Sequence, residues 1–310
     1  MPKAVQIYEI GGTEVLKLEE VDLPKKGASE VLIKTRSIGV NPVDIRILGG
    51  DVAGVVEEGD EAGKFKPGDK VFALTPGYYN STAAGTYAEY VVADPAWLAK
   101  VPDNLPLEEA AGLPLAALTG WQALQKANPK AGQRVLVTAA SGGVGHIVVQ
   151  VAKALGLFVV GIAGPKNLDF VKSLGADEVV DYTTQDVADL YSAPDKQFDI
   201  AIDCMGTRSQ LLQKLLSVTK PTGFFSHIHN AGTDNEVLDA AKAAHAAGKG
   251  PAVAATLVQP NGAQLQEIAD LVAAGKVKLE VALSLPLEDA AKAHDQVATG
   301  HTRGKVVLTV

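Results

Sequence analysis

The chain has 310 residues, of which 47% are hydrophobic and 21% are charged, as expected for a globular protein of about two domains. No apolar run reaches the ~20 residues of a transmembrane helix, and the net charge of −8 without a basic run argues against nucleic-acid binding. Cys204 is the single cysteine, which excludes an internal disulfide and a zinc site of several thiolates. No leader is recognised, so we expect a cytoplasmic protein, or an organellar one with a removed or uncleaved leader.

The first hundred residues are predicted to form a compact β domain. They contain β-rich runs that are separated by turn-forming clusters of Pro and Gly. The runs lie at 31–34, 53–56 and 87–92, and the turns at 24–27, 66–69 and 75–77.

From about residue 105 the pattern changes to strands that alternate with helices, which predicts βαβ units and a parallel, doubly wound sheet. The predicted helices are 108–124, 144–155 and 168–174. The predicted strands are 134–139, 158–163, 178–180, 199–203, 223–226 and 252–258.

The C-terminal segment has helices at 263–274 and 287–297 and a strand at 305–308. We expect it to return to the β domain, so that the parallel sheet is a central insertion. The predicted domains are therefore 1–114 with 260–310, and 115–259.

A glycine-rich turn lies between the strand at 134–139 and the following helix, and residues 139–145 read Ala-Ala-Ser-Gly-Gly-Val-Gly. Ala140, Gly142 and Gly145 take the three glycine positions of the dinucleotide fingerprint. Gly142 would let the backbone approach a pyrophosphate, and the helix N-terminus at Val144 would favour its charge. The alternative interpretation is a plain strand–helix connector.

The end of the next strand favours NADPH over NADH. NAD sites carry an Asp or Glu at this point, whereas this sequence continues as Gly164-Pro165-Lys166-Asn167. Lys166 is a candidate for binding the 2′-phosphate, in a charge-assisted bond worth about 1.5–3 kcal/mol. The alternative is an ordinary surface lysine.

Several segments together resemble the zinc-free quinone oxidoreductase branch of the medium-chain dehydrogenase/reductase superfamily. The similarity runs nearly from end to end of the chain. Besides the glycine-rich turn, the matching segments are 39–44 (GVNPVD), 65–71 (FKPGDKV), 85–90 (GTYAEY), 113–121 (LPLAALTGW), 173–177 (SLGAD) and 304–308 (GKVVL).

The resemblance implies an α/β fold in which a Rossmann doubly wound parallel sheet is inserted into a GroES-like β-barrel domain. It places the active site in a cleft between the two domains. It also implies a homodimer, formed by joining the Rossmann sheets edge to edge.

The resemblance also implies roles for individual residues. Catalytic candidates are Asn41, Asp44 and Thr119. Residues implied to bind NADPH are Ser141, Gly142, Gly143 and Val144 at the pyrophosphate, and Lys166 and Tyr182 at the 2′-phosphate. The alternative for Asp44 is a turn or capping acid, and for Tyr182 a half-buried aromatic at a strand end.

The sequence departs from zinc-dependent relatives and, at one point, from the family itself. Zinc-dependent relatives carry a metal-binding cysteine at the Asn41-Pro42 segment, and His227 and His229 alone do not make a metal site. Residues 47–50 run directly into Asp51, where family members have a longer segment along the cleft. Either the cleft is shorter and more open, or a mobile loop is missing from the sequence. The second is favoured, because losing a substrate wall is an odd way to keep a hydride site.

Without a metal to polarise the substrate, the hydride acceptor must already be electron-poor. We therefore expect reduction of small quinones or α,β-unsaturated carbonyls, with Asn41 and Thr119 as hydrogen-bond donors to the developing oxyanion. Two alternatives stay open. One is an enoyl-thioester reductase, and the other is a non-catalytic NADPH-binding sensor or structural protein.

Overall fold

In the computed structural model, the chain forms two compact units, Met1–Leu118 with Gln259–Val310, and Thr119–Val258. The first unit contains both ends of the chain, and the second is one continuous central segment. The structure describes residues 1–9, 11–46, 49–76, 85–205, 209–228 and 235–310.

The first unit is built mainly from antiparallel strands. They are β1 (Lys3–Gln6), β2 (Lys17–Glu20), β3 (Val31–Val40), β4 (Asp51–Glu58), β5 (Lys70–Leu74), β6 (Tyr90–Ala93), β7 (Leu98–Lys100), β14 (Val281–Pro286) and β15 (Lys305–Thr309). The larger sheet has the order β14-β15-β3-β4-β5-β7, and β6 also pairs with β3. Because β15 pairs antiparallel with β3, the C-terminal segment completes this sheet.

Strand β3 is buried along most of its length because it serves two apolar cores. Val31 and Ile33 belong to one core, whereas Ile38 and Val40 belong to another that also contains Tyr87. The residues that follow β3 therefore begin at the edge of this second core.

The second unit is a parallel sheet with helices. Its strands are β8 (Arg134–Val137), β9 (Phe158–Ala163), β10 (Glu178–Asp181), β11 (Phe198–Asp203), β12 (Thr219–Ile228) and β13 (Ala252–Thr256). Their order is β10-β9-β8-β11-β12-β13, and every described pairing is parallel. Strands β8 and β9 are almost continuously buried, as expected where both faces of a sheet are covered. The predicted α/β class, with a parallel sheet inserted into a β domain, is confirmed.

The α-helices are α1 (Leu107–Ala110), α2 (Pro114–Lys126), α3 (Gly145–Ala154), α4 (Leu168–Ser173), α5 (Val187–Tyr191), α6 (Ser209–Ser217), α7 (Asn235–Ala246), α8 (Gly262–Ala273) and α9 (Ala290–Ala298). Short 3₁₀ helices include Pro42–Arg46, Pro165–Asn167 and Leu287–Asp289. None of the helices within the described ranges is long and apolar enough to cross a membrane.

Several predicted elements differ from the observed ones in their bounds. The helix predicted at 108–124 is interrupted, because a proline without an N–H begins a new helix at Pro114. The strand predicted at 134–139 ends at Val137, since Ala139 has a positive φ. The strand predicted at 87–92 begins only at Tyr90.

β4 starts at Asp51 directly after Gly50, and residues 47 and 48 of the segment that departs from the family lie outside the described residues.

Candidate active site

The turn after β8 is so closely packed that it requires glycine. Ala139 has a φ of 44°, and the backbone N–H of Gly142 donates to its carbonyl oxygen at 2.8 Å. A Cβ atom on Gly145 would lie 2.1 Å from that same oxygen. Ala140 can stand at the first glycine position because its methyl group faces Gly161 of β9, where an added Cβ would lie 3.0 Å away.

The middle of this turn is accessible. Residues 141–144 are each partly exposed, whereas Ala140 and Gly145 are buried. Helix α3 begins at Gly145 and has no side-chain hydrogen bond at its N-cap. The N–H groups of His146 and Ile147 donate instead to the carbonyl oxygens of Gly142 and Val144, both at 3.1 Å. The positive end of the helix still favours the negative charge of a pyrophosphate, and the predicted residues Ser141, Gly142, Gly143 and Val144 form the accessible part of this turn.

A buried hydrogen bond joins the carboxyl ends of β8 and β11, the two strands between which the sheet order reverses. The hydroxyl of Thr138 donates to Oδ1 of Asp203 at 2.7 Å, and the backbone N–H of Cys204 donates to the Thr138 hydroxyl oxygen at 2.9 Å. Doubly wound sheets bind their ligands at such a reversal. Neither Thr138 nor Asp203 is among the residues that the sequence predicts for the site.

Gly164 follows β9, Lys166 comes two residues later in the chain, and the ring of Tyr182 lies close to Gly164. Lys166 is exposed, and no carboxylate in the described part of the chain pairs with its ammonium. The ring of Tyr182 is 64% exposed, more than the half-buried alternative expects. A Cβ atom on Gly164 would lie 3.4 Å from Cε1 of that ring. The structure thus brings Tyr182 next to the segment that carries Lys166.

Thr119 is positioned by the close approach of α2 to α3. A Cβ atom on its neighbour Gly120 would lie 2.6 Å from Cγ2 of Val148, so the two helices meet at a glycine. Thr119 itself is 2% exposed.

Asn41 and Asp44 lie together in a buried polar cluster of the first unit. Asn41 follows β3, and Asp44 belongs to the 3₁₀ helix Pro42–Arg46. Oδ2 of Asp44 accepts the backbone N–H of Asn41 at 2.8 Å, which is the bond that a capping acid makes. Oδ1 of Asp44 is buried and has no hydrogen-bond partner among the described residues.

The Asn41 side chain is held at both of its polar atoms. Its Nδ2 donates to Oδ2 of Asp51 at 2.8 Å, and its Oδ1 accepts from the ammonium of Lys305. Lys305 also donates to the carbonyl oxygen of Val40 at 3.1 Å, and the backbone N–H of Leu115 donates to Oδ1 of Asp51 at 2.7 Å. Because the amide nitrogen carries two hydrogens, one is left for a further acceptor.

Tyr87 and His294 extend the cluster on the other side of Asp44. The Tyr87 hydroxyl donates to Oδ2 of Asp44 at 3.2 Å and lies 2.9 Å from Nε2 of His294. Since the hydroxyl has a single hydrogen, the second bond requires that Nε2 of His294 donates to the Tyr87 oxygen. The two rings meet edge to face.

The cluster contains two carboxyl groups and one ammonium, all buried. Burial, and then the charge of Asp51, raises the pKa of Asp44 to about 8. Burial also raises the pKa of Asp51 to about 6, against the lowering effect of Lys305. Burial lowers the pKa of Lys305, and both carboxylates oppose this. Near neutral pH, an ionised Asp51 is therefore balanced by Lys305, and Asp44 keeps its proton, which reduces the cost of its unpartnered oxygen.

Asp51, Tyr87, His294 and Lys305 are site residues that the sequence does not predict. A signal was available for two of them. Lys305 begins an otherwise apolar strand, Asp51 begins another, and a charged residue in a buried strand needs a partner. The sequence shows no partner, however, because the chain brings these groups together only by folding.

In the described ranges, no group of three or more His, Cys, Asp or Glu residues is arranged to hold a metal ion. His227 lies in β12 opposite Asp203 of β11. His229 lies outside the described residues.

Models of two known protein families match this chain, each over a different range of residues. The family described as "Alcohol dehydrogenase GroES-like domain" matches residues 27–103, and the one described as "Zinc-binding dehydrogenase" matches residues 174–308. "Quinone-oxidoreductase QR1, chloroplastic" of Triphysaria versicolor is 34% identical over 339 residues, which cover 96% of this chain and 95% of that protein.

Solved structures agree with this relationship. The quinone oxidoreductase from Coxiella burnetii is 31% identical, with a TM-score of 0.88 over 100% of this chain and 99% of that one. A mycobacterial protein complexed with NADPH is 27% identical, with a TM-score of 0.82 over 100% of both chains. This chain therefore belongs to the quinone oxidoreductase-like branch of the medium-chain dehydrogenase/reductase superfamily, a family of NAD(P)H-dependent oxidoreductases with a GroES-like and a Rossmann domain.

Proposed function

We propose that this protein is an NADPH-dependent, zinc-independent reductase that transfers hydride to quinones or α,β-unsaturated carbonyls. The choice of NADPH rests on the end of β9, where no acid directly follows Ala163 and the exposed Lys166 comes two residues after Gly164. A carboxylate at this point would repel a 2′-phosphate, whereas a cation attracts it. The mycobacterial relative complexed with NADPH supports the same choice.

The second unit supplies the cofactor contacts in this proposal. Ser141, Gly142, Gly143 and Val144 bind the pyrophosphate through the accessible turn before α3. Lys166 and Tyr182 bind the 2′-phosphate. NADPH, when bound, supplies the hydride, and the chain contributes binding, orientation and exclusion of water.

The side-chain partners of Asn41 support a reaction without zinc. Asn41 stands where zinc-dependent relatives carry a cysteine, and an amide is a much poorer zinc ligand than a thiolate. Both of its polar atoms are engaged, by Asp51 and by Lys305. The cation of this cluster is therefore an ammonium that the chain itself provides.

We assign the substrate-facing roles to Asn41, Asp44 and Thr119. The second N–H of the Asn41 amide and the Thr119 hydroxyl can each donate to the oxygen of the acceptor as negative charge develops on it. One such donor contributes about 2.7–4 kcal/mol to the transition state. An acceptor that is already electron-poor needs no stronger polarisation, which favours quinones and enones over saturated ketones.

For the whole molecule, we propose that 115–259 is the NADPH-binding domain and that 1–114 with 260–310 serves the substrate. We also propose a homodimer that joins the Rossmann sheets edge to edge, since β10 and β13 end the described sheet order and an edge strand offers unpaired backbone groups. The single Cys204 suits a reducing compartment, the cytoplasm or an organelle such as that of the chloroplastic Triphysaria relative.

The test is NADPH oxidation with a naphthoquinone, a long alkenal, a cyclic enone and a saturated ketone, with NADH in parallel. We expect turnover of the first three with NADPH and none of the ketone, unchanged after dialysis against a chelator. Loss of activity on dialysis would contradict the zinc-free reaction. Binding of NADPH without turnover of any acceptor would favour a sensor, and turnover of an enoyl thioester alone would favour a thioester reductase.

A further inference from the structure

Lys305 is a buried cation whose place in the structure is tightly specified. It begins β15, is 5% exposed, and follows Gly304, which has a φ of 73°. A Cβ atom on Gly304 would lie 2.3 Å from the carbonyl oxygen of Glu280, so the turn that delivers Lys305 to the cluster requires glycine.

The partners of Asn41 determine which way its amide points. Lys305 can only donate a hydrogen bond, and an ionised Asp51 can only accept one. Rotation of the Asn41 amide by half a turn would place its NH₂ group against the ammonium and its oxygen against the carboxylate. Both contacts would then be repulsive, so this pair of charges allows one orientation of the amide.

We propose that Lys305, together with Asp51, is a positioning residue for the reaction, because the pair orients the Asn41 amide toward the substrate oxygen. This inference rests on the proposed function, in which Asn41 donates its second N–H to the acceptor. Neither Lys305 nor Asp51 need touch the acceptor, since the effect passes through the two hydrogen bonds to Asn41.

A purely structural role for the same pair makes a different prediction. Lys305→Met leaves Asp51 and Asp44 buried without a cation, which destabilises the fold whatever the role of Asn41. The double variant Lys305→Met/Asp51→Asn removes one charge of each sign and relieves this imbalance. The Leu115 N–H would hold the oxygen of the new amide at position 51, so the NH₂ group of that amide would face Asn41 and would no longer favour the wild-type orientation of the Asn41 amide.

The experiment compares the wild-type protein, K305M, K305M/D51N and K305R. The matched control is K292M, in the same unit, since Lys292 is exposed and forms a surface ion pair with Asp289. For each protein we would measure the thermal unfolding midpoint, the Kd for NADPH, and kcat and KM with a naphthoquinone.

We expect the double variant to recover most of the stability lost in K305M, while its kcat stays roughly 10- to 100-fold below wild type, the cost of a misplaced group. Its Kd for NADPH should stay close to wild type, and K305R should retain more kcat than K305M. Recovery of kcat together with stability in the double variant, or a wild-type kcat in folded K305M, would overturn the positioning role.

A readout independent of turnover separates this inference from the proposed function. The side-chain amide signals of Asn41 in ¹⁵N-labelled protein, assigned with Asn41→Asp, report how firmly the amide is held. We expect slow hydrogen exchange in wild type and K292M, and fast exchange in K305M/D51N. Equal exchange in all three would refute the orientation, even if no acceptor were turned over. Absence of wild-type turnover with NADPH bound would instead refute the reductase function.

Discussion

The ammonium of Lys305 donates to the side-chain oxygen of Asn41, although the two residues are 264 positions apart in the sequence. The contact is possible because β15 pairs with β3, with Val306 opposite Val40. The segment that carries Asn41 and Asp44 therefore receives its neutralising cation from the last strand of the chain. Without that strand, the cluster would hold two buried carboxyl groups and no positive charge.

Asp44→Asn should remove a pH dependence of stability. The pKa of Asp44 in the folded state, about 8, lies above that of an aspartate in an unfolded chain, so the folded state keeps a proton that the unfolded state loses. The stabilisation from this proton is complete below about pH 4 and is lost as the pH rises through about 8. The amide introduced by this substitution would still offer an oxygen to the Asn41 N–H and to Tyr87.

Urea unfolding between about pH 6.5 and 8.5 checks this expectation, since Asp51, with a pKa of about 6, is ionised there and burial keeps His294 neutral. The free energy of unfolding of the wild type should fall by up to about 1.4 kcal/mol per pH unit. The slope for D44N should be clearly smaller. Parallel slopes for the two proteins would mean that Asp44 is ionised throughout.

Gly145→Ala and Gly142→Ala should separate folding from cofactor binding in the glycine-rich turn. A Cβ on Gly145 would lie 2.1 Å from the Ala139 oxygen, whereas one on Gly142 would lie 3.2 Å from it. We expect G145A to lose about 1–3 kcal/mol of stability or more. G142A should remain folded but bind NADPH more weakly, because its methyl group obstructs the pyrophosphate. Thermal unfolding and calorimetric titration measure the two effects, and unchanged NADPH binding by G142A would contradict this placement.

Lys166→Ala should weaken the binding of NADPH but not of NADH. Loss of one charge-assisted hydrogen bond to the 2′-phosphate costs about 1.5–3 kcal/mol, or roughly ten- to hundredfold in Kd. Lys196→Ala is the matched control, because it removes another exposed lysine of the same unit. Fluorescence titration with both cofactors measures the ratio. Equal losses for NADPH and NADH in K166A would mean that Lys166 does not recognise the phosphate.

Thr138→Val should destabilise the point at which the sheet order reverses. Valine keeps the shape of the side chain, but it removes the donor to Asp203 and the acceptor for the Cys204 N–H. We expect a loss of about 1–3 kcal/mol in urea unfolding, and Thr138→Ser, which keeps the hydroxyl, should recover most of it. If the serine variant were as unstable as the valine variant, packing of the Thr138 methyl group would be the cause instead.

The parallel sheet and the glycine-rich turn were predictable because their signals are local. β8 and β9 are nearly all apolar, and the glycine-rich turn before α3 lies within seven consecutive residues, 139–145. Boundaries were harder to predict. The break in the helix before Pro114 depends on a single residue. The late start of β6 depends on Tyr87 and Ala88, which contact β1 instead. The Tyr87 carbonyl accepts the N–H of Val5, and Ala88 forms a β-bridge with Ala4.

The sequence by itself determined the class of the fold, the place of the glycine-rich turn and the lack of an acid after β9, because each depends on residues that are neighbours in the chain. It also marked Asn41 and Asp44, but only through resemblance to a family. Tertiary structure alone decided what surrounds them. Pairing of β15 with β3 places Lys305 beside Asn41. Because the cluster is buried, the charges around each carboxyl group, rather than its exposure to water, determine which of the two keeps its proton.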